Sequence, residues 1–212
     1  RRAPLRDVAI TLVSPYPVQT YSGMLPGLIA GHYTPADISI DLARLVRENG
    51  AALVQDRAVG LDPANRIVKL ERSGEVAYDL LSLNAGSVTD TTVPGSAAYA
   101  FPAKPFEPFL HRWEGACETA RRFAVVGAGA AGVELAMAIR YRRPDAPVVL
   151  FSERPMFEGR FAERIRDALA RCGVELRAGA PVERLEPGPV LHAQGRAEPF
   201  DLVVWTTGAV AE

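Results

Sequence analysis

Residues 123–136 read Phe-Ala-Val-Val-Gly-Ala-Gly-Ala-Ala-Gly-Val-Glu-Leu-Ala, and no other stretch of the chain restricts its fold so tightly. An apolar run of strand character leads into Gly-x-Gly-x-x-Gly, and the residues that follow, Val133 to Ile139, favour a helix. Each glycine has a separate physical task. Gly127 permits a tight turn, Gly129 lets the backbone approach a pyrophosphate, and Gly132 lets the helix pack close to the strand. The free amides at the helix start, at Ala130 and Ala131, face the phosphate charge. A second apolar run, Val148 to Phe151, ends at Ser152 and Glu153, which places Glu153 21 residues after Gly132, where a ribose-binding acid is expected. The pattern reads as a dinucleotide-binding turn; a ligand-free glycine-rich corner is the competing reading.

The chain also resembles itself. Asp7 to Pro17 matches Asp145 to Pro155, each a strand ending in Ser (Ser14, Ser152) with Pro three residues on. Leu42 to Val59 matches Ile165 to Val182, each a short helix closed by Gly (Gly50, Gly173) before a strand. Asp62-Pro63 answers Glu186-Pro187, and Tyr78 to Gly86 answers Phe200 to Gly208. Four matches in one order predict two related units. With an offset of 138 residues between Asp7 and Asp145, the first unit's counterpart of the glycine turn would precede Arg1, so the first unit is expected to be incomplete.

The 212 residues are 48% hydrophobic with a formal charge of −1, enough to bury a core and without the basic excess that would point to nucleic acid. No apolar run reaches the roughly 18–20 residues of a spanning helix, and the N-terminus lacks a signal pattern. This composition reads as cytoplasmic, with peripheral membrane contact through a segment outside this sequence left open. Cys117 and Cys172 form no Cys-x-x-Cys pair, and His32, His111 and His192 are scattered without ligand spacing, so no metal site is expected.

Strands are expected at residues 8–13, Ala52 to Val59, Arg66 to Leu70 and Val76 to Leu83, with helical spacing over Ile40 to Val46 and again over Phe109 to Ala120. Tyr21 to Gly31 is too rich in Gly and Pro for one regular helix; it reads either as a loop packed onto the core or as one packed against a cofactor ring. A boundary near residue 119 separates a partial first unit, 1–118, from a second, 119–212.

On the motif at 127–134, the endings Leu83-Asn-Ala-Gly86 and Trp205-Thr-Thr-Gly208, and the loop Tyr21 to Gly31, the chain resembles the two-dinucleotide-binding-domain flavoproteins of the pyridine nucleotide-disulfide oxidoreductase superfamily. Its Leu-Pro loop, which contains no cysteine, looks most like the type II NADH dehydrogenase branch. The resemblance implies an α/β fold of two Rossmann-like units, each a parallel sheet with a β-meander crossover. The first would bind FAD, through Ser14 and Gly86 in this chain, and the second NAD(P)H, through the glycine turn, Ser152, Glu153 and Gly208. It further implies hydride transfer from NAD(P)H to FAD and electron delivery to a non-disulfide acceptor such as a quinone. A non-catalytic nucleotide-binding or sensing module is the other reading.

The resemblance gives Glu134 a role near the nicotinamide; a carboxylate favoured by the helix dipole is the plainer account. Lys104 has two readings as well, as a flavin or acceptor contact or as a solvated loop lysine. Besides the first glycine motif and the C-terminal Gly-Asp segment, which this sequence does not contain, two strand ends depart from the family's pattern: Ser14 stands where an acid usually meets the flavin's adenosine ribose, and Ser152 precedes the pair Glu153-Arg154. An acid suits the 2′-hydroxyl of NADH and an arginine the 2′-phosphate of NADPH, and NADH is favoured here. Family dimers are often built through a C-terminal domain, so a homodimer of this chain would use another surface.

Overall fold

The computed structural model describes residues 7–154 and 159–210. Contacts divide the chain into two compact units, one of residues 1–21 and 35–84, the other of 22–34 and 85–212. The repeat boundary near residue 119 is a division by sequence likeness, and contacts divide the chain elsewhere. Residues 85–118 fall with the second unit because their strand at 101–102 is hydrogen-bonded into its sheet.

In the first unit, β1 (Thr11–Val13) and β2 (Val18–Thr20) precede the excursion of residues 22–34 into the second unit, which carries a 3₁₀ turn, Ser22–Met24, and α1 (Leu25–Ile29). The first unit resumes with β3 (Ser39–Asp41), α2 (Leu42–Glu48) and β4 (Ala52–Val54). A meander of β5 (Ala58–Asp62), β6 (Ile67–Leu70) and β7 (Glu75–Ala77) follows, antiparallel in the order β5-β6-β7. β1 pairs in parallel with β4, and β2 antiparallel with β3. Helix α2 starts at Leu42 rather than Ile40 because the Asp41 carboxylate caps it, accepting from the Arg44 amide at 2.8 Å, while Ile40 lies in β3. The strand expected over Ala52 to Val59 is two strands, parted by the buried Asp56. Its carboxylate accepts from the amides of Arg57, Arg72 and Ser73, so the chain turns there to tie the entry of the meander to its second turn.

The second unit adds β8 (Val88–Thr89), α3 (Ser96–Tyr99), β9 (Phe101–Pro102) and α4 (Phe106–Thr119). Then come β10 (Phe123–Val126), α5 (Ala130–Arg142), β11 (Val148–Ser152), α6 (Gly159–Cys172) and β12 (Val174–Ala178). A second antiparallel meander, β13 (Val182–Glu186), β14 (Val190–Ala193) and β15 (Arg196–Pro199), returns the chain to β16 (Leu202–Trp205) and β17 (Ala209–Val210). The main sheet is parallel throughout, in the order β12-β11-β10-β16-β9. Every residue of β10, β11 and β16 is buried, which is why these runs are continuously apolar rather than alternating. The expected α/β class with a Rossmann-like unit is present.

The internal repeat extends to strand register. Thr11 pairs with Ala52 and Leu12 with Leu53, and at the matched positions Val149 pairs with Glu175 and Leu150 with Leu176. Gly50 and Gly173 both close their helices at positive φ, 66° and 73°. Ser14 and Ser152 each donate a hydroxyl hydrogen bond to the carbonyl two residues on, Tyr16 and Arg154; Pro155, in the same match, lies outside the described residues. The likeness stops at Tyr78 to Gly86. β16 is hydrogen-bonded on both sides, by β10 and β9, whereas no described strand pairs with residues 80–83, so the strand expected over Val76 to Leu83 ends at Ala77 and leaves Leu80 92% and Leu83 70% exposed.

Residues 21–31 form neither an open loop nor one long helix. The 3₁₀ turn passes directly into α1, whose Leu25, Leu28 and Ile29 are buried and which packs against α5. Lys104 donates to the Ser87 hydroxyl at 2.9 Å. Among the described residues no helix is long and apolar enough to cross a membrane, and no three His, Cys, Asp or Glu side chains cluster to hold a metal.

Candidate nucleotide-binding site

The chain leaves β10 for β11 on one side, while β16 lies on the other, so the C-terminal end of β10 is a topological switch point. The glycine turn stands there. Gly127 has φ 105°, a conformation that glycine adopts without strain, and a Cβ added to it would lie 2.8 Å from Thr206 Oγ1. At Gly132 an added Cβ would come within 1.7 Å of the Gly127 carbonyl oxygen, so helix and turn approach too closely for any side chain. Gly129 is different: its φ is an ordinary −71°, and an added Cβ would meet nothing within 4 Å. It is the N-cap of α5 with no side-chain cap, so the first amides of the helix are open to an anion.

A cavity of about 700 Å³ opens over these elements, within the size of small-ligand pockets. Its floor is Val126 to Gly129, Phe151, and the strand end and turn Trp205 to Gly208. One flank carries Ser152, Glu153 and Arg154 with Ala180 to Val182, and the Ala180 amide donates to the Ser152 carbonyl at 2.8 Å. Ser152 is buried while Glu153 and Arg154 are exposed, so the acid and the arginine both stand at the rim. Asp90, Thr92 and Val93 also line the cavity. Trp205 Nε1 and Thr207 Oγ1 both donate to the Asp90 carbonyl, at 2.8 and 3.3 Å, and fix this segment beside Gly208; β8 also pairs with β17 there.

Of the residues singled out in the sequence, Gly127, Gly129, Ser152, Glu153 and Gly208 come together around this cavity. Ala130 and Ala131 lie exposed in the first turn of α5, and Gly132 is buried beneath it. Glu134 is exposed on α5 and does not line the cavity. Ser14 and Gly86 are not among the residues around it either: Ser14 is buried at the end of β1 in the first unit, and Gly86 is an exposed turn at φ 80°. Sequence reasoning passed over Thr206, Asp90 and Thr92. Thr206 stood inside the quoted Trp-Thr-Thr-Gly ending and could have been weighed, whereas Asp90 lies in an aperiodic, proline-rich stretch that carries no signal of what it faces.

A family model described as pyridine nucleotide-disulphide oxidoreductase matches residues 3–212. A protein of Aeromonas salmonicida named nitric oxide reductase FlRd-NAD(+) reductase is 31% identical over 159 residues, 71% of this chain and 40% of its own length. The fold is shared with the water-forming NADH oxidase of Lactobacillus brevis, solved bound to NADH, at TM-score 0.81 and 22% identity over 96% of this chain and 48% of that one. NDH2 of Plasmodium falciparum, solved in complex with NADH, superposes at TM-score 0.82 with 16% identity, over 96% of this chain and 51% of that one. The chain thus spans about half the length of these proteins or less. On the match that runs through both units, the chain belongs to the pyridine nucleotide-disulphide oxidoreductase family.

Proposed function

We propose that this chain is the nucleotide-handling portion of an FAD-dependent oxidoreductase that accepts hydride from NAD(P)H and passes electrons to a non-disulfide acceptor such as a quinone. The observation that carries the reading is Gly129. The protein itself explains the glycines at 127 and 132 but leaves open space where a side chain at 129 would be. That space lies at an uncapped helix start on a 700 Å³ cavity, where a pyrophosphate would occupy it.

The nicotinamide unit is assigned to residues 119–212, the repeat that carries the turn. There the amides at the start of α5 hold the pyrophosphate, and Ser152, Glu153 and Arg154 meet the adenosine ribose. The nicotinamide end runs past Thr207 and Gly208 beside Asp90. Glu153 favours NADH through the ribose 2′-hydroxyl, while Arg154 gives some affinity for a 2′-phosphate. FAD, when bound, supplies the hydride acceptor. In the first unit, Ser14, buried at the end of β1, is the strand-end residue offered to the flavin's adenosine ribose. The segment Tyr21 to Gly31 contains no cysteine, which supports an acceptor other than a disulfide.

The second reading is a nucleotide-binding module without turnover, for which the cavity over the glycine turn would suffice by itself. The visible absorption spectrum of the purified protein supplied with FAD, before and after anaerobic NADH, separates the two. A bound flavin band that bleaches is the expected result; NADH binding with no flavin bound would leave the module.

A further inference from the structure

We infer that Thr206 is a positioning residue for the nucleotide's pyrophosphate, acting through the glycine turn; the inference rests on the nucleotide reading of the cavity. Thr206 Oγ1 lies 2.8 Å from both the Val126 and the Gly127 carbonyl oxygens, and the Thr206 amide donates to Val126 as well, at 2.8 Å. On the other side, the Gly127 amide donates to the Phe151 carbonyl at 2.9 Å. The first peptides of the turn are therefore held between β16 and β11. A trans peptide points its N–H away from its carbonyl, so a Gly127 carbonyl drawn to Thr206 turns the Ala128 amide away from β16. Ala128 lines the cavity.

The same hydroxyl bears on the helix. A Cβ at Gly132 would lie 2.8 Å from Thr206 Oγ1, so this oxygen sits where the turn and the first turn of α5 converge. It has one hydrogen to share between two carbonyls, and a methyl in its place would face both at contact distance with nothing to donate. The carbonyls would separate, the turn would open, and the amides would no longer converge on one anion. Thr206 does not line the adenosine flank, which is made by Ser152 to Arg154 and Ala180 to Val182.

The test uses calorimetric titration of NADH, ADP and adenosine into wild type, Thr206→Val and Thr206→Ser. Thr206→Val is expected to weaken NADH and ADP about tenfold, the scale of one charge-assisted hydrogen bond, and to leave adenosine within twofold. Thr206→Ser, which keeps the hydroxyl, restores both diphosphate ligands. Thr206→Val binding NADH as wild type does, an equal loss for adenosine and ADP, or a failure of serine to restore binding would each overturn the inference. If the valine variant does not fold, Thr206→Ala is held to the same contrast. Wild type that binds neither NADH nor NADPH would sink the nucleotide reading itself, whereas a wild-type site indifferent to residue 206 would sink only the role of Thr206.

Discussion

Replacing Gly129 with alanine separates what the fold needs from what the ligand needs. Its φ of −71° is open to any residue, and the new Cβ meets no protein atom within 4 Å. Two opposed terms act on stability. Alanine restricts the unfolded chain and stabilises by about 0.4–1 kcal/mol, while losing glycine's advantage at an N-cap costs a similar amount. The net change is within about 0.5 kcal/mol, and at roughly 2–4 °C per kcal/mol for a chain of this size the melting temperature moves by about 2 °C or less. Binding responds differently, because a methyl at the helix start displaces the pyrophosphate from amides whose charge-assisted bonds contribute about 1.5–3 kcal/mol each. Loss of one such bond predicts a thirtyfold weaker NADH affinity, from about 2 kcal/mol. Gly132→Ala is the contrast: its Cβ would fall 1.7 Å from the Gly127 carbonyl oxygen, so the variant should be destabilised by about 1–3 kcal/mol as well as failing to bind. Thermal melting and NADH titration of both variants decide the matter. A folded Gly129→Ala protein that binds NADH within twofold of wild type would refute the placement of the pyrophosphate.

Three further outcomes follow from residues elsewhere. Arg154→Ala should weaken NADPH about fivefold, on the scale of 1 kcal/mol for an exposed contact, and leave NADH within twofold; competitive titration of the two nucleotides measures it. Gly95 has φ 80°, and an added Cβ would lie 2.0 Å from the Leu185 carbonyl oxygen, so Gly95→Ala should destabilise by about 3 kcal/mol and lower the melting temperature by about 6–12 °C. The Ser73 hydroxyl and the amides of Arg57, Ser73 and Arg72 hold the Asp56 carboxyl well below the usual carboxylate range against its burial. Because the folded state depresses this group, its contribution is complete above the ordinary carboxylate range and is lost as pH falls below it. Urea unfolding of wild type and Asp56→Asn should differ most near neutral pH and converge in acid; a constant difference would contradict the assignment.

Much of this architecture was legible because strong local signals agreed with one another. The glycine turn, the buried strand runs at 123–126 and 148–152 and the glycine-closed helices each carry a pattern that only one local geometry satisfies. The repeat extended that reading, and even the register of β1 with β4 is that of β11 with β12. Where the reading departed from the structure, a distant partner decided. Residues 80–83 have strand composition but no described strand beside them, and Asp56 breaks a plausible single strand by collecting amides from a turn 16 residues away. The same holds in the site: Asp90 meets Trp205 and Thr207 beside the pairing of β17 with β8, contacts across more than a hundred residues that no local periodicity encodes. Glu134, next to the motif in sequence, stands on an exposed face of α5.

The indole of Trp205 lends the site its own optical reporter. The chain has two tryptophans; Trp113 is stacked on Phe109 within α4, while Trp205 ends β16 at the cavity with its Nε1 bound to the Asp90 carbonyl. Trp113→Phe would leave a single emitter, immobilised by that bond and adjacent to where the reduced nicotinamide would lie. Reduced nicotinamide absorbs where tryptophan emits, so occupancy would register as energy transfer from one fixed donor, reading ligand position as well as ligand presence.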